Sequence, residues 1–330
     1  MGATFFTNVS IFDGTGAPSF PGEVLVENNR IKAVAKGSGQ IARQGAELVD
    51  GGGMTLMPGL IDPHAHLGFG SSVDRIEMRR DVPPEVNLMR AIHCGKTMLD
   101  YGYTSAYSAG ASDARAEVAM RHEFDGGWLP GPRLKACSFE QTAAEAGPTG
   151  RGGGTGIFPG IKNRKSNPER LRKFVHDMAD LGCDSVKFVI SGEGAIDPGT
   201  SQEMQFYDDE VAAGADAARE RGLNLNAHTY SSESIQMALR HKFRVLYHCS
   251  WADEKTVDLM EAQKKDLFIA PGPGVIWDGL QNGHLMGRPK GGPQDQEAME
   301  KLEMLSRLVP ELKRRGFRLL PGGEIGRAHV

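Results

Sequence analysis

The chain has 330 residues, of which 39% are hydrophobic and 24% are charged, and its formal net charge is −4. This length is sufficient for one barrel of roughly 250 residues and a small accessory unit. The sequence has no run of about 20 apolar residues and no long basic segment, and its first residues lack a basic region followed by an apolar one. We therefore expect no membrane span, no export signal and no nucleic-acid partner.

The cysteines indicate the compartment. Cys94, Cys137, Cys183 and Cys249 are scattered without CxxC spacing. This pattern is typical of reduced thiols in a cytoplasmic protein, and not of a disulfide or zinc-finger framework. We therefore expect a cytoplasmic location.

The first 56 residues alternate short β-rich runs with turns. Asp-Gly at 13–14 and Asn-Asn at 28–29 mark two of the turns. The runs between the turns are residues 9–12, 24–26, 31–35 and 48–49. Short strands separated by such turns predict a small β-unit.

From residue 57 onwards, short apolar strands alternate with helical segments. The predicted strands are 57–67, 103–107, 133–137, 185–190, 224–228, 244–248, 267–270 and 318–321. The predicted helices are 83–99, 114–124, 167–181, 208–221, 232–241, 254–264 and 296–315, the last of which contains Pro310 and is expected to kink there. Residues 271–292, after the seventh strand, are Gly-rich and predict a loop. Eight strands in βα order favour an α/β fold of the (β/α)8 TIM-barrel type over an open sheet.

The first of these strands, MPGLIDPHAHL at 57–67, ends in two histidines. Side chains at i and i+2 of a strand point to the same face, so His64 and His66 are placed like two ligands of one metal ion. A lone HxH is also typical of paired surface histidines. The Pro-Gly turn before the apolar run favours a buried strand instead.

This stretch resembles the first barrel-strand signature of the amidohydrolase superfamily, the metal-dependent hydrolases built on a (β/α)8 barrel. The resemblance covers nearly the whole chain. It implies a small, incomplete β-sandwich unit at 1–56, which in the family is completed by strands from the C-terminus. The barrel would then span 57–323.

Lys187 lies within the otherwise apolar fourth strand. A buried ammonium costs several kcal/mol unless it is paired or chemically changed. A neutral lysine that reacts with CO2 gives a carbamate, and Lys187 resembles the carboxylated lysine that bridges two metals in this superfamily. The alternative is a lysine that extends to solvent at the barrel rim.

His228 and His248 end the fifth and sixth strands, each just before a loop. For each histidine alone, the alternative is a core histidine with a satisfied hydrogen bond. Catalytic residues of such barrels, however, lie at the C-terminal strand ends. The resemblance implies one divalent metal on His64 and His66, a second on His228 and His248, and carboxylated Lys187 between them. Zinc suits these ligands best, with manganese and cobalt as alternatives.

The resemblance also implies a mechanism and a substrate class. A hydroxide bridging the two metals would attack the carbonyl of an amide, in a peptide or an N-acyl amino acid. Tyr230 would donate a hydrogen bond to the developing oxyanion or, alternatively, only pack in its loop. The segments DSVKFVISGE, NAHTYS and LLPGG resemble a branch containing imidazolonepropionase-related proteins, Xaa-Pro or Xaa-Arg dipeptidases and ochratoxin-type amidases. Lys187 favours a binuclear amidase or peptidase within it.

The sequence offers two further candidate site residues, Glu324 and Arg151. The family has an aspartate at the end of strand eight as metal ligand and proton acceptor, whereas this chain has Glu324. The loop at 138–160 lacks the TGGHG-like segment of many relatives, and its Arg151 either binds a substrate carboxylate or is solvated.

The last seven residues, EIGRAHV, are what a common short-read sequencing adapter encodes in one frame. We therefore expect a barrel truncated at strand eight and a non-native tail at 324–330, so that His329 is not counted as a ligand. The alternative is a natural truncation in which Glu324 serves as the carboxylate.

Three functions remain open from the sequence. The first is the binuclear amidohydrolase, with a small-molecule amide or peptide as substrate. The second is a lactonase or esterase on the same binuclear site. The third is a non-catalytic barrel scaffold, because the strand-eight aspartate is missing. A homo-oligomer is compatible with each of them.

Overall fold

The computed structural model describes residues 2–43, 45–69, 83–143, 160–162, 164–195 and 199–323. The chain divides into two compact units, Met1–Leu60 and Ile61–Val330, and each is described by itself. In the described part of the chain, no helix has the length and apolar character needed to cross a membrane. All four cysteines are buried.

The first unit contains a five-stranded sheet with β1 in its middle. Its strands are β1 (Ala3–Ile11), β2 (Phe20–Glu27), β3 (Arg30–Lys36), β4 (Glu47–Asp50) and β5 (Thr55–Leu56). The first three strands are antiparallel neighbours, and β4 and β5 run parallel to β1. Asn28 and Asn29 both have positive φ, 50° and 62°, as a two-residue hairpin turn requires.

The second unit alternates strands and helices. Its strands are β6 (Leu60–Ala65), β7 (Tyr103–Ser108), β8 (Arg133–Lys135), β9 (Cys137–Gln141), β10 (Ser185–Val189), β11 (Asn224–Ser231), β12 (Val245–Trp251), β13 (Phe268–Ala270) and β14 (Arg318–Leu319). Its helices are α1 (Pro84–Asp100), α2 (Ala114–Asp125), α3 (Pro168–Leu181), α4 (Asp208–Arg221), α5 (Ser232–Arg240), α6 (Glu254–Glu261), α7 (Pro273–Asn282) and α8 (Pro293–Arg314).

The strands of this unit lie side by side in chain order. One sheet has the order β6-β7-β8, and a second, all-parallel sheet runs from β9 to β14. The sequence predicts the third strand over 133–137, but the structure extends it as β8 and β9 to Gln141, four residues into the stretch predicted as a loop. The two strands are separated only by Ala136, so the chain passes there from one sheet to the other. After β14, the Gly323 amide donates to Asp62 Oδ1 in β6 (3.2 Å). Parallel strands in chain order with intervening helices confirm the α/β class and are typical of a TIM-barrel-like fold.

Helix α3 shows how local sequence sets these elements. Asn167 Oδ1 accepts a hydrogen bond from the Arg170 amide, Pro168 occupies the first turn, and Gly182 ends the helix with a φ of +92°. The buried face of α3 consists of Leu171, Val175 and Met178. These residues belong to the largest apolar core, which also includes Val186 and Phe188 of β10.

The prediction of a loop over 271–292 is wrong. The structure forms α7 there, followed by a short 3-10 turn at Gly283–Met286. Pro273 suits the first turn of a helix, whereas the many glycines of this stretch had favoured a loop. The long helix α8 also begins three residues earlier than predicted, at Pro293, and continues through Pro310.

Candidate metal centre

The histidines selected from the sequence lie together on β6, β11 and β12, with His66 directly after β6; β11 and β12 each continue three residues past His228 and His248, where the sequence predicts them to end. Each of His64, His66, His228 and His248 is at most 2% exposed. The ring of His64 lies 5.2 Å from that of His66 and 5.3 Å from that of His248, and the rings of His248 and His228 are 4.6 Å apart, all measured between centroids. Three separate strands thus bring four imidazoles into one contiguous group.

Local backbone geometry directs these rings. The His64 amide donates to Asp62 Oδ1 at 2.9 Å, which fixes the end of β6. His248 and Cys249 have φ of +73° and +60°, a conformation that non-glycine residues rarely adopt. The pairing of β11 with β12 shifts register in the same place. Backbone strain of this kind concentrates at functional sites, because the surrounding fold must hold it.

Hydrogen bonds to carbonyls distinguish the nitrogens of two of the imidazoles. His66 Nδ1 lies 2.8 Å from the Gly110 carbonyl, and His228 Nε2 lies 3.2 Å from the Gly192 carbonyl. A ring nitrogen that donates to a carbonyl carries the proton, so the other nitrogen keeps a lone pair suited to a metal. The candidate ligand atoms are therefore Nε2 of His66 and Nδ1 of His228.

Glu193 joins this group, although the sequence analysis did not select it. Glu193, His228 and His248 each offer a possible ligand atom, and these atoms lie within 4.8 Å of one another. Glu193 Oε2 is 3.7 Å from His228 Nε2. The signal was present in the sequence, because Glu193 follows strand four within a few residues, where a barrel places its functional side chains.

Lys187 is completely buried on β10, which excludes the alternative of a lysine extending to solvent. Its Nζ donates to the Ala109 carbonyl (2.9 Å) and lies 3.8 Å from Glu140 Oε1. The same atom lies 4.0 Å from the centroid of the Tyr247 ring, which in turn lies 4.0 Å from that of His64. Lys187 is thus close to the imidazoles, and Glu140 is a second acid that the sequence analysis missed.

The end of β7 supports both Lys187 and His66. The carbonyls of Ala109 and Gly110, the two residues directly after β7, contact Lys187 Nζ and His66 Nδ1 respectively. Gly110 has a φ of +144°, and a Cβ there would collide with the Glu140 side chain. Only glycine therefore allows this close approach.

Tyr230 is buried against the imidazoles. Its ring stacks on that of His248 with a centroid separation of 4.6 Å, and its hydroxyl donates to Glu193 Oε2 at 3.3 Å. On the Tyr230 ring also lies Lys301 Nζ of α8, 3.8 Å from the centroid. Lys301 is only 3% exposed, and it is a further residue that helix periodicity did not reveal.

Two predicted site residues, Arg151 and Glu324, lie outside the residues that the structure describes. The backbone just before residue 324 is described: a Cβ on Gly322 would lie 2.5 Å from that of His64. This part of the chain therefore passes directly beside the imidazole group.

These donors fit a divalent metal centre. Four buried imidazoles and a buried carboxylate are the ligand types that zinc and related ions prefer, and a fully buried lysine next to them can accept a carbamate. Apolar side chains would fill such a position better if its role were packing alone.

Comparisons with known proteins agree with this chemistry. A model of the amidohydrolase family matches residues 55–264, while a search of curated proteins finds no match. A prolidase complexed with N-methylphosphonate-L-proline has a similar structure, with a TM-score of 0.79 and 20% identity over 98% of this chain and 78% of that one. A Xaa-Pro dipeptidase with bound methionine has a TM-score of 0.77 and 19% identity, over 100% of this chain and 80% of that one. A. niger ochratoxinase has a TM-score of 0.75 and 19% identity, over 98% of this chain and 77% of that one. At such identities these structures establish similarity of fold alone.

Proposed function

We propose that this chain, which belongs to the amidohydrolase family, is a metal-dependent enzyme that cleaves the amide bond of a small peptide or N-acyl amino acid. The family predicted from PGLIDPHAHL is confirmed, and the chain is a hydrolase that acts on C–N bonds. The observation that carries the narrower proposal is the convergence of four buried imidazoles from β6, β11 and β12 with Glu193, which follows β10.

The proposed architecture is a closed (β/α)8 barrel with the centre at its C-terminal rim. In this proposal His64 and His66 would hold one ion, His228 and His248 would hold a second, and Lys187 would supply a further ligand as a carbamate. Glu193 is an added candidate ligand of the second ion. Divalent ions bound there, zinc being the first candidate, would polarise the amide carbonyl and lower the pKa of water.

The surrounding side chains would position the substrate and transfer the proton of the attacking water. Tyr230 would exchange its hydrogen bond to Glu193 for one to the developing oxyanion. A carboxylate must then accept a proton and deliver it to the leaving amine. Glu324, at the position where the family has aspartate, is our candidate for this step.

The names of two similar structures support a peptide-like substrate. One of them is named a prolidase and the other a Xaa-Pro dipeptidase. These names favour an amide over a lactone as the substrate.

Metal analysis of the purified protein and its Lys187→Ala variant tests the centre. We expect about two divalent ions per chain in the wild type and a marked decrease in the variant, because the bridging group is removed. Measured kcat/KM values on N-acyl amino acids and on lactones then test the reaction, and we expect the amides to be preferred. A wild-type protein that binds no metal would favour the scaffold, and a preference for lactones would favour the esterase.

A further inference from the structure

The segment after β13 begins at the candidate metal centre. Gly272 has a φ of +60°, and a Cβ there would lie 3.6 Å from His248 Nδ1 and 3.8 Å from His64 Nδ1. From this point the chain forms α7 and the 3-10 turn Gly283–Met286. Side chains of this segment are therefore candidates for contacts with a substrate.

Arg288 folds back onto α7 after that turn. Its amide donates to the Gly283 carbonyl at 3.2 Å. A Cβ added to Gly283 would lie 3.3 Å from Arg288 Cδ, and one added to Gly279 would lie 3.6 Å from Arg288 Nη1. Two glycines thus leave room for a guanidinium along the helix, and the side chain is partly buried.

Burial lowers the pKa of Arg288 below its ordinary value, and the acids that oppose this effect are Glu193, Asp295 and Asp278, in decreasing order. In the part of the chain that is described, no carboxylate lies within ion-pairing distance of this guanidinium. Each of the three acids has other contacts. Glu193 accepts from Tyr230, Asp295 from the Gly291 amide and Asp278 from Asn282.

Lys301, the other cation near Glu193, differs in this respect. Its Nζ lies 3.7 Å from Glu193 Oε1 and 3.3 Å from Glu297 Oε1. Two carboxylates therefore balance the ammonium charge. The guanidinium of Arg288 instead keeps its planar set of N–H donors, which matches the two oxygens of a carboxylate.

We propose that Arg288 binds the carboxylate of the substrate while the amide carbonyl lies at the metal centre. The guanidinium is partly buried on α7, and a substrate carboxylate would supply the charge partner that matches its N–H donors. The preferred substrates are then amides that bear a free carboxylate, such as N-acyl amino acids and dipeptides with an open C-terminus. This inference rests on the proposed function for the position of the scissile bond.

The kinetic test compares charged and neutral substrates. For N-acetyl amino acids, Arg288→Met is expected to lower kcat/KM on the order of 100-fold, mainly through KM, because a hydrogen-bonded charge pair is lost. For the matching N-acetyl amino acid amides the same variant is expected to leave kcat/KM within about twofold, since no carboxylate is present. Arg288→Lys should lose about tenfold on the charged substrates, because an ammonium cannot form the paired contact. Lys290→Met, at an exposed cation two residues further on, is the matched control and should resemble the wild type.

A binding test separates this inference from the proposed function. Calorimetry with the metal-loaded chain uses N-acetyl derivatives of Ala, Leu, Met, Phe and Pro, together with their primary amides. We expect at least one free acid to bind more tightly than its amide, and Arg288→Met to abolish the difference. If no acid in the panel is preferred, or if the preference persists in the variant, the inference is wrong even where amides are hydrolysed. If the preference depends on Arg288 but no amide is hydrolysed, the proposed function is wrong and the carboxylate site remains.

Discussion

Two polar clusters lie at opposite ends of the same strands, and they differ in how their charges are compensated. Before β10, Asp184 accepts hydrogen bonds from Arg121 (2.6 Å), Lys135 (3.2 Å) and the Ala136 amide (2.9 Å). After β10, Glu193 lies among imidazoles and beside the ammonium of Lys301. Every partner of Asp184 is supplied by the fold itself.

The pKa of Asp184 reflects this compensation. Burial opposes ionisation, but the hydrogen bonds from Arg121, Ala136 and Lys135 outweigh it and keep the pKa below its ordinary value. An acid with a lowered pKa stabilises the fold above its unfolded-state pKa, and this contribution is lost as the pH falls. We infer that the first cluster serves stability and that the second serves chemistry, as the two ends of barrel strands commonly do.

The largest expected effect comes from His228→Ala in the second cluster. Because a divalent centre contributes several kcal/mol to catalysis, kcat/KM should decrease roughly 1,000-fold. The metal content should fall with it, whereas the free energy of unfolding of the metal-free protein should change by only about 1 to 2 kcal/mol. His241→Ala is the matched control, because His241 lies outside the cluster and contacts Asp208. Full activity in His228→Ala would show that the proposed metal centre takes no part in catalysis.

The next effect concerns Glu117 of α2, a fully buried acid between the two clusters. It accepts hydrogen bonds from Ser108 Oγ (2.9 Å) and the Cys137 amide (2.8 Å). The pKa of Glu117 is raised to about 7, mainly by burial. The two hydrogen bonds and Arg121 lower this pKa, whereas the charge of Asp184 raises it. Between about pH 4.5 and 7 the folded chain therefore holds a proton that the unfolded chain has released.

This difference predicts the direction of a pH effect. Because the folded state binds more protons, the free energy of unfolding should fall as the pH rises through this window, by about 3 kcal/mol attributable to Glu117. Glu117→Gln cannot ionise and should lack that part of the slope. Denaturant titrations of both proteins at pH 5, 6, 7 and 8 measure the difference. Parallel curves would show that Glu117 does not titrate there.

In the first cluster, Asp184→Asn tests the role in stability. Loss of the charge leaves Arg121, which is largely buried, without its ionic partner, and we expect a loss of about 2 kcal/mol in unfolding free energy. Metal content and kcat/KM should stay within about twofold, because the cluster lies at the other end of the strands. A loss of metal in this variant would show that the two clusters are coupled.

The smallest effect is expected for Lys135→Met in the same cluster. The Lys135 side chain is 63% exposed although it pairs with Asp184 at 3.2 Å. An exposed ion pair contributes little, so the unfolding free energy should change by less than about 1 kcal/mol. Thermal unfolding of Lys135→Met and of Asp184→Asn, measured side by side, shows how much of the stability provided by the Asp184 carboxylate depends on Lys135. An equally large loss in both variants would contradict this ranking.

Much of the centre could be selected from local sequence, because a strand repeats every two residues and ends at a definite point. His64 and His66 share a face through this repeat, and His228 and His248 are recognisable because each ends an apolar run. Lys187 stood out as a charge within a strand that must be buried. Their roles as ligands stay predictions, although the structure places them close together.

Other residues of the same region could not be selected in this way. Glu193 and Arg288 follow strands in irregular or Gly-rich segments, where periodicity carries no information. Lys301 lies on a long helix whose polar residues usually face solvent, yet it is buried beside Tyr230. The error at 271–292 has the same origin, since glycines that favour a loop are compatible with a short helix packed on a neighbour.

The sequence by itself determined the alternation of strands and helices, the family and the histidines at the strand ends, because each of these depends on neighbours only a few residues apart. Only the tertiary structure decided which acids and cations accompany those histidines. Glu140, Glu193, Arg288 and Lys301 are far apart in the chain, and nothing but the packing of strands and helices around a common rim brings their charges together.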